Sequence, residues 1–294
     1  MGRHWLTAFV LFIALTGSAV ANAKETPSKA GEPNLITFSR IDKAWPHSRG
    51  EGIKVAILDW LFDMSPKASA KYINPTSMVP GAEVGAEKPW HGEWMAEIVH
   101  QVAPGAKIIP IRARPAADKD RDADGRYVYE KYLVQGIRFA ADQGAVAVTS
   151  SMGPLAQSKD LRDAIDYAEQ KGTIFIDVHP EEKTDANTFD KRIVHPGVVS
   201  VPAHRLRPDF RREVYVWPYD LKPVFQDGWG LSNGPPIVAG VIALMKSANP
   251  ELTNPEIRRI IVETADSRDG FKVLDAEAAV KKALAVRKAT DEKR

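Results

Sequence analysis

A short apolar run decides the fold: it reads Ile53-Lys54-Val55-Ala56-Ile57-Leu58 and ends at Asp59. Similar β-rich runs follow along the chain, at residues 107–111, 145–149, 173–176 and 198–201. Runs that are continuously apolar, rather than alternating with polar residues, are typical of strands buried on both faces. The pattern therefore predicts a central sheet, with Asp59 at the end of one of its strands.

Segments with helical spacing separate these runs, at residues 93–102, 129–143 and 160–171. Strands that alternate with helices predict a parallel sheet whose crossover connections are right-handed. We therefore expect an α/β fold, a three-layer sandwich with a mainly parallel central sheet. Ligands of such sheets bind beyond the carboxyl ends of the strands, where Asp59 is expected.

The C-terminal part of the sequence predicts further helices. Residues 237–245 are almost wholly apolar, which indicates a central helix, and residues 276–288 have the pattern of a final helix. Between them, Asn254 followed by Pro255 predicts a helix that is capped by Asn254 and has proline at its first position.

Composition excludes several classes of protein. The 294 residues are 44% hydrophobic and 27% charged, which is typical of a globular chain with an ample core. Forty Lys and Arg against 38 Asp and Glu leave a net charge of +2, so charge gives no reason to expect nucleic acid or an anionic membrane as a partner. The absence of Cys excludes disulfides, thiolate catalysis and cysteine-based zinc sites.

The N-terminus has the features of an export signal. Arg3 and His4 precede an apolar run at 5–15 and small residues that end in Ala21-Asn22-Ala23. The run is shorter than the roughly 20 residues of a membrane span, which favours a cleaved signal peptide at 1–23 over an uncleaved anchor. We expect a secreted or periplasmic protein, without membrane attachment after cleavage. After the signal peptide we expect a flexible arm at 24–35, one folded domain at 36–288 and a charged tail at 289–294.

A serine near the C-terminus carries the first chemical signal. The segment Gly230-Leu231-Ser232-Asn233-Gly234 matches G-x-S-x-G, the nucleophile elbow of α/β-hydrolases. In that fold the catalytic histidine follows the serine, but all seven histidines here precede Ser232. This excludes a lipase or esterase and leaves the order Asp, His, Ser, which is that of subtilisin.

Three blocks, at residues 52–63, 91–99 and 230–240, contain an Asp, a His and a Ser in that order, and they resemble the subtilase family of subtilisin-like serine peptidases. The first resembles the family's Asp block, the second its HGTHVAGI block and the third its GTSMASPHVAG block. Each holds the family's catalytic residue in register: Asp59 within 52–63, His91 within 91–99, and Ser232 within 230–240. The resemblance covers about residues 35 to 285 and implies a subtilisin-like fold within the predicted domain.

The resemblance implies a catalytic triad of Asp59, His91 and Ser232. A serine hydroxyl is a weak nucleophile until a base removes its proton, which is the role implied for His91. Asp59 would hold the imidazole tautomer and stabilise its cation, and the helix expected after Ser232 directs N–H groups at the developing oxyanion. Ser151-Met152-Gly153 is similar to the family's substrate-binding S-L-G segment, which binds the substrate backbone as an added strand.

The sequence departs from the family at the oxyanion position. Alignment without gaps on the family's G-V-V-V-V-A-A-A-G-N-E places Glu181 where subtilases have an asparagine donor. An ionised Glu181 would repel the oxyanion, whereas a protonated one would donate a hydrogen bond, and Asn187 is an alternative donor. Trp60 and Trp94 replace smaller or polar family residues near Asp59 and His91, and the segment before the first strand is too short for the usual pro-domain.

Two weaker signals concern metal ions, and we expect no cofactor. The loop from Asp118 to Asp124 contains D-x-D-x-D-G, the start of a calcium loop, but the Glu at the twelfth position is missing, which favours a solvated loop with calcium as the alternative. Glu93, Glu97 and His100 share one helix face, but a two-metal site needs a second Glu-x-x-His.

The sequence therefore predicts an exported serine endopeptidase that hydrolyses polypeptides through Asp59, His91 and Ser232. The alternative is a pseudopeptidase that binds peptides or a partner protein without turnover, which Glu181, Trp60 and Trp94 favour.

Overall fold

A computed structural model describes most of the chain. It covers residues 35–85, 91–115, 129–151, 158–179, 198–202, 214–215, 230–268 and 271–291. The predicted signal peptide at 1–23 lies outside the described residues, as does the predicted arm except for Leu35.

Six strands form one sheet in which every neighbouring pair is parallel. They are β1 Lys54–Asp59, β2 Thr76–Ser77, β3 Lys107–Arg112, β4 Ala147–Ser150, β5 Ile174–His179 and β6 Val198–Pro202. The strand order is β2-β3-β1-β4-β5-β6, so β1 occupies an interior place between β3 and β4. The parallel sheet confirms the predicted class, and it places Asp59 at the carboxyl end of an interior strand.

Helices cover both faces of this sheet. They are α1 Leu35–Phe38, α2 Ile41–Ala44, α3 Pro66–Ser69, α4 His91–Val102, α5 Glu130–Asp142, α6 Lys159–Gln170, α7 Gly234–Ala248, α8 Asn254–Thr264 and α9 Ala276–Asp291. Residues of β1 alternate between the two sides: Val55 and Ile57 pack with α4, α7, α8 and α9, while Ala56 and Leu58 pack with α5 and α6. Two apolar cores thus flank the sheet, which gives the predicted three-layer sandwich.

The start of α8 differs from the prediction. Thr253, not Asn254, caps the helix, since its side chain accepts a hydrogen bond from the backbone N–H of Glu256. The Glu256 carboxylate in turn accepts from the Thr253 N–H, at 2.8 Å, which completes a capping box. Asn254 is the first residue of the helix, and its side chain donates instead to Glu169.

Other differences concern short elements and ends. The two-residue strand β2 and a second sheet were not expected. The second sheet contains β7 Val214–Tyr215, β8 Asp266–Arg268 and β9 Phe271–Val273. Helix α9 continues to Asp291, so it includes the first residues of the predicted charged tail. Within the described residues, no helix combines the length and apolar character that crossing a membrane requires.

Candidate active site

Asp59 and His91 form a buried pair at the carboxyl edge of the sheet. Asp59 is the last residue of β1 and His91 the first residue of α4. Nδ1 of His91 lies 2.8 Å from Oδ2 and 3.0 Å from Oδ1 of Asp59. Asp59 is 1% exposed and His91 7% exposed. The backbone N–H of Trp60 also donates to Asp59 Oδ1, at 2.7 Å, so the carboxylate has a fixed orientation.

Opposing effects set the proton affinity of His91. Burial of the imidazole lowers the pKa of His91, but the negative charge and the hydrogen bond of Asp59 outweigh burial and raise it above its ordinary value of 6.5. The positive charge of Arg114 acts with burial and lowers the pKa of His91. The pair therefore consists of an oriented imidazole whose Nδ1–H points at a carboxylate.

Ser232 lies directly before the helix that the sequence predicts as central. It belongs to a 3-10 turn, Gly230–Asn233, and Asn233 precedes the first residue of α7. Ser232 is 8% exposed. Helix α4 contacts both this turn and α7. The structure thus places Ser232 in a turn that packs against the helix beginning at His91.

Ser151 connects the sheet to the same turn. It follows β4, and its hydroxyl donates to the backbone carbonyl of Ser232 at 2.8 Å. Sequence reasoning assigned Ser151 to substrate binding through its backbone and did not foresee this contact. The hydrogen bond ties the turn to the strand that neighbours β1.

The aromatic residues that depart from the family lie in different settings. Trp60 is partly exposed beside Asp59, and the guanidinium of Arg114 lies 5.5 Å from the centre of its ring and 5.9 Å from that of Tyr129. Trp94 packs against the apolar core on one side of the sheet. In the sequence, Arg114 stands out only because it follows a predicted strand. Its position near His91 was therefore not predicted.

The candidate metal face of α4 holds a lysine. Nζ of Lys71 lies 2.8 Å from Oε1 of Glu93 and 3.1 Å from Oε2 of Glu97, and only 8% of the Lys71 side chain is exposed. The two carboxylates are thus paired with an internal cation. Within the described residues, no group of three or more His, Asp or Glu side chains is arranged to hold a metal ion.

Several predicted site residues lie outside the described residues. These are Glu181, Asn187, Met152, Gly153 and the loop from Asp118 to Asp124. Their assignments remain predictions.

Comparisons with known sequences find similarity to subtilases. A model of the subtilase family matches residues 215–285, which contain Ser232. Subtilisin BL of Lederbergia lenta is 24% identical over 265 residues, which are 83% of this chain and 97% of that protein. Thermitase of Thermoactinomyces vulgaris is 26% identical over 250 residues, 78% of this chain and 86% of that protein.

Solved structures share the fold at low sequence identity. The MycP3 protease of the type VII (ESX-3) secretion system superposes with a TM-score of 0.65 at 20% identity, over 85% of this chain and 88% of that chain. Fervidolysin of Fervidobacterium pennivorans, described as a keratinolytic enzyme related to subtilisin, gives a TM-score of 0.64 at 20% identity, over 84% of this chain and 45% of that chain. The fold is subtilisin-like, and residues 215–285 match the subtilase family.

Proposed function

We propose that this chain is an exported serine endopeptidase that cleaves polypeptides by acyl transfer, with Asp59, His91 and Ser232 as its triad. The observation that carries the proposal is the buried Asp59–His91 pair, together with a serine in the turn against the histidine's helix. The relatives support the reaction class, because those with solved structures include a protease of a secretion system.

The pair has the geometry that a general base requires. When Asp59 accepts the Nδ1 proton of His91, Nε2 carries the lone pair and accepts the proton of the Ser232 hydroxyl. The serine oxygen then attacks the peptide carbonyl carbon, and the imidazolium gives its proton to the leaving amine. In the second half of the reaction, His91 takes a proton from a water molecule, which attacks the acyl carbon. The imidazolium then returns its proton to the Ser232 oxygen, which releases the product and restores the serine.

The oxyanion would receive hydrogen bonds from this chain's own groups. The N–H of Ser232 is one donor in the proposal, because the N-terminus of α7 carries free N–H groups and a partial positive charge. Glu181 is the other position that family alignment suggests. It would donate only when protonated, whereas His91 accepts a proton only when neutral, so the two residues favour opposite ends of the pH range.

This opposition supports a second candidate function, a pseudopeptidase that binds peptides without turnover. In subtilisin, removing one oxyanion donor lowers the rate by about 10²–10³-fold. For this second function, the Asp59–His91 pair has a structural role without catalysis. The edge of the sheet near Ser151 binds a segment of a partner protein.

Labelling with a fluorophosphonate probe separates the two candidates. We expect the wild type to be labelled between pH 4 and 8, with labelling lost in Ser232→Ala and strongly slowed in His91→Ala. Ser247→Ala is the matched control, because this serine lies at the far end of α7 and its hydroxyl donates to the Glu51 carbonyl. No labelling at any pH in this range would refute the peptidase and favour the pseudopeptidase.

Export is tested separately by the N-terminus of protein recovered from the native host. We expect a chain that begins at Lys24, and recovery of the intact N-terminus from the cytoplasm would contradict the predicted signal peptide.

A further inference from the structure

We infer that Glu93 is a positioning residue for the proposed triad, because it joins the segment that follows Asp59 to the first turn of the helix that begins at His91. The inference rests on the proposed function. It assigns a role to a side chain that the sequence presented only as part of a candidate metal face.

Glu93 holds the segment after Asp59 through both its backbone and its side chain. Its backbone N–H donates to the carbonyl of Leu61 at 3.1 Å. Its Oε2 accepts from the backbone N–H of Asp63 at 3.0 Å. Residues 61 and 63 follow Asp59 directly, and Glu93 lies two positions after His91, so these bonds connect the two elements that carry the buried pair.

Lys71 and Tyr72 fix the carboxylate from the other side. Nζ of Lys71 pairs with Oε1 of Glu93, and the hydroxyl of Tyr72 donates to Oε2. Burial and the hydrogen bond to Glu93 raise the pKa of Tyr72, so this hydroxyl remains a donor. The Tyr72 ring meets the ring of Phe62 edge-on, with centroids 6.2 Å apart. The carboxylate is therefore held on both oxygens and has little freedom to move.

Gly92 allows the segment after Asp59 to approach the start of α4 closely, in addition to the hydrogen bonds of Glu93. A Cβ at this position would lie 2.8 Å from the carbonyl oxygen of Leu61 and 3.0 Å from Cζ of Phe62. The segment after Asp59 thus packs directly on the backbone between His91 and Glu93. A rotation of α4 at this point would carry His91 away from Asp59, and a displacement of about 1 Å in a catalytic group can cost about 10²-fold in rate.

Glu97 provides a matched control on the same helix face. It lies one turn after Glu93 and shares Lys71, but its side chain is 43% exposed, and among the bonds described for its carboxylate none reaches the segment after Asp59. Removing Glu97 tests the loss of a charge beside Lys71, whereas removing Glu93 also removes the junction.

The test compares three variants by steady-state peptide hydrolysis. For Glu93→Ala we expect kcat to fall by about 10- to 100-fold with KM nearly unchanged, because substrate contacts are intact while the base is displaced. Glu93→Gln keeps an acceptor for Asp63 and Tyr72, and we expect it to recover most of the kcat. Glu97→Ala should stay within about twofold of wild type, since the Glu97 side chain is partly exposed to solvent and Glu93 still pairs with Lys71. Equal kcat losses in Glu93→Ala and Glu97→Ala, or no recovery by Glu93→Gln, would overturn the inference.

A second readout does not depend on turnover. The proton on Nδ1 of His91 is measured by NMR in a Ser232→Ala background, where we expect a downfield resonance. Glu93→Ala should weaken this resonance, whereas Glu97→Ala should leave it unchanged. An unchanged resonance in folded Glu93→Ala would contradict the positioning role. Should Glu93→Ala not fold, Tyr72→Phe replaces it: we expect a weakened resonance, and an unchanged one overturns the inference. A wild type without activity would refute the proposed function, while the resonance would still report on Glu93.

Discussion

Helices α4 and α7 both begin beside a residue of the proposed triad, but they are held in place by different forces. In α7 every residue except Lys246 and Ser247 is buried, so the core surrounds the helix on all sides. Helix α4 buries one face only, and its polar face is held by the contacts of Glu93 and Glu97 with Lys71. The two helices meet where a Cβ on Gly240 would lie 2.6 Å from Cβ of Val102.

The difference suggests two kinds of sensitivity to mutation. The location of Ser232 depends on apolar packing, so changes in α7 should lower the free energy of unfolding. The location of His91 depends on directed polar bonds, so changes around α4 should lower activity in a protein that remains folded. Directed bonds specify a position more narrowly than apolar contact does, because they weaken steeply with angle and distance.

The largest expected effect is that of Asp59→Asn. The amide cannot hold the same tautomer of His91, and the corresponding change in the chymotrypsin-type triad lowers kcat by about 10⁴-fold. We expect a similar loss in peptide hydrolysis while circular dichroism remains that of the folded protein. Asp63→Asn is the control, since among the described residues the hydrogen bond of its side chain is local, to the N–H of Ser65, and the variant should remain near wild type. Comparable activity in the two variants would contradict the role of Asp59.

Ile242→Ala tests the other half of the comparison. Ile242 is fully buried in α7, and truncation of a buried isoleucine costs about 2–5 kcal/mol. We expect a loss of that size in the free energy of unfolding, measured with urea. Val262→Ala, at a position 44% exposed, should cost far less. A fully stable Ile242→Ala variant would show that α7 is not held by its core contacts.

Adjacent serines at the end of β4 offer a smaller, paired test. Ser151→Ala removes the hydrogen bond to the Ser232 carbonyl. The bond contributes about 1.4 kcal/mol. If this energy holds Ser232 in its reactive position, the variant should lose about tenfold in kcat. The Ser150 hydroxyl is buried and, within the described part of the chain, has no hydrogen-bond partner. Ser150→Ala should therefore leave kcat unchanged. Equal effects on kcat would argue against a specific role for the Ser151 contact.

The smallest effect concerns the pH dependence of activity. The base acts when neutral, so kcat/KM should rise with pH as His91 loses its proton, with a midpoint above 6.5 because Asp59 raises the pKa of His91. Arg114→Gln removes a positive charge that lowers this pKa, so the midpoint should move to still higher pH. Arg49→Gln, whose guanidinium lies 5.1 Å from the centre of the Trp45 ring, should not move it. A downward shift in Arg114→Gln would contradict this electrostatic account.

Much of the fold could be predicted because the interior strands are buried on both faces. Residues 55–58 and 108–111 are therefore continuously apolar, and each run leads to the sheet edge where ligands bind. Strand β2 has only two residues, too few for a periodic signal. At α8, both Thr253 and Asn254 are good caps, and the structure decides between them through the reciprocal bond with Glu256.

The candidate site was predictable only in part. Family order pointed to Asp59, His91 and Ser232, but the partners of Glu93 lie between 21 and 32 residues away along the chain, at Asp63, Lys71, Tyr72 and Leu61. Helical spacing places Glu93, Glu97 and His100 on one face of α4 and suggests a metal. It cannot reveal that a lysine from another segment fills the space between the carboxylates.

The most direct test of the central claim is peptide mapping of the protein after reaction with a fluorophosphonate. The proposed triad predicts a single adduct, on the peptide that contains Ser232, formed faster as the pH rises above 6.5 and strongly slowed in His91→Ala. An adduct on another residue, or a Ser232 that reacts no faster in the wild type than in His91→Ala, would contradict it.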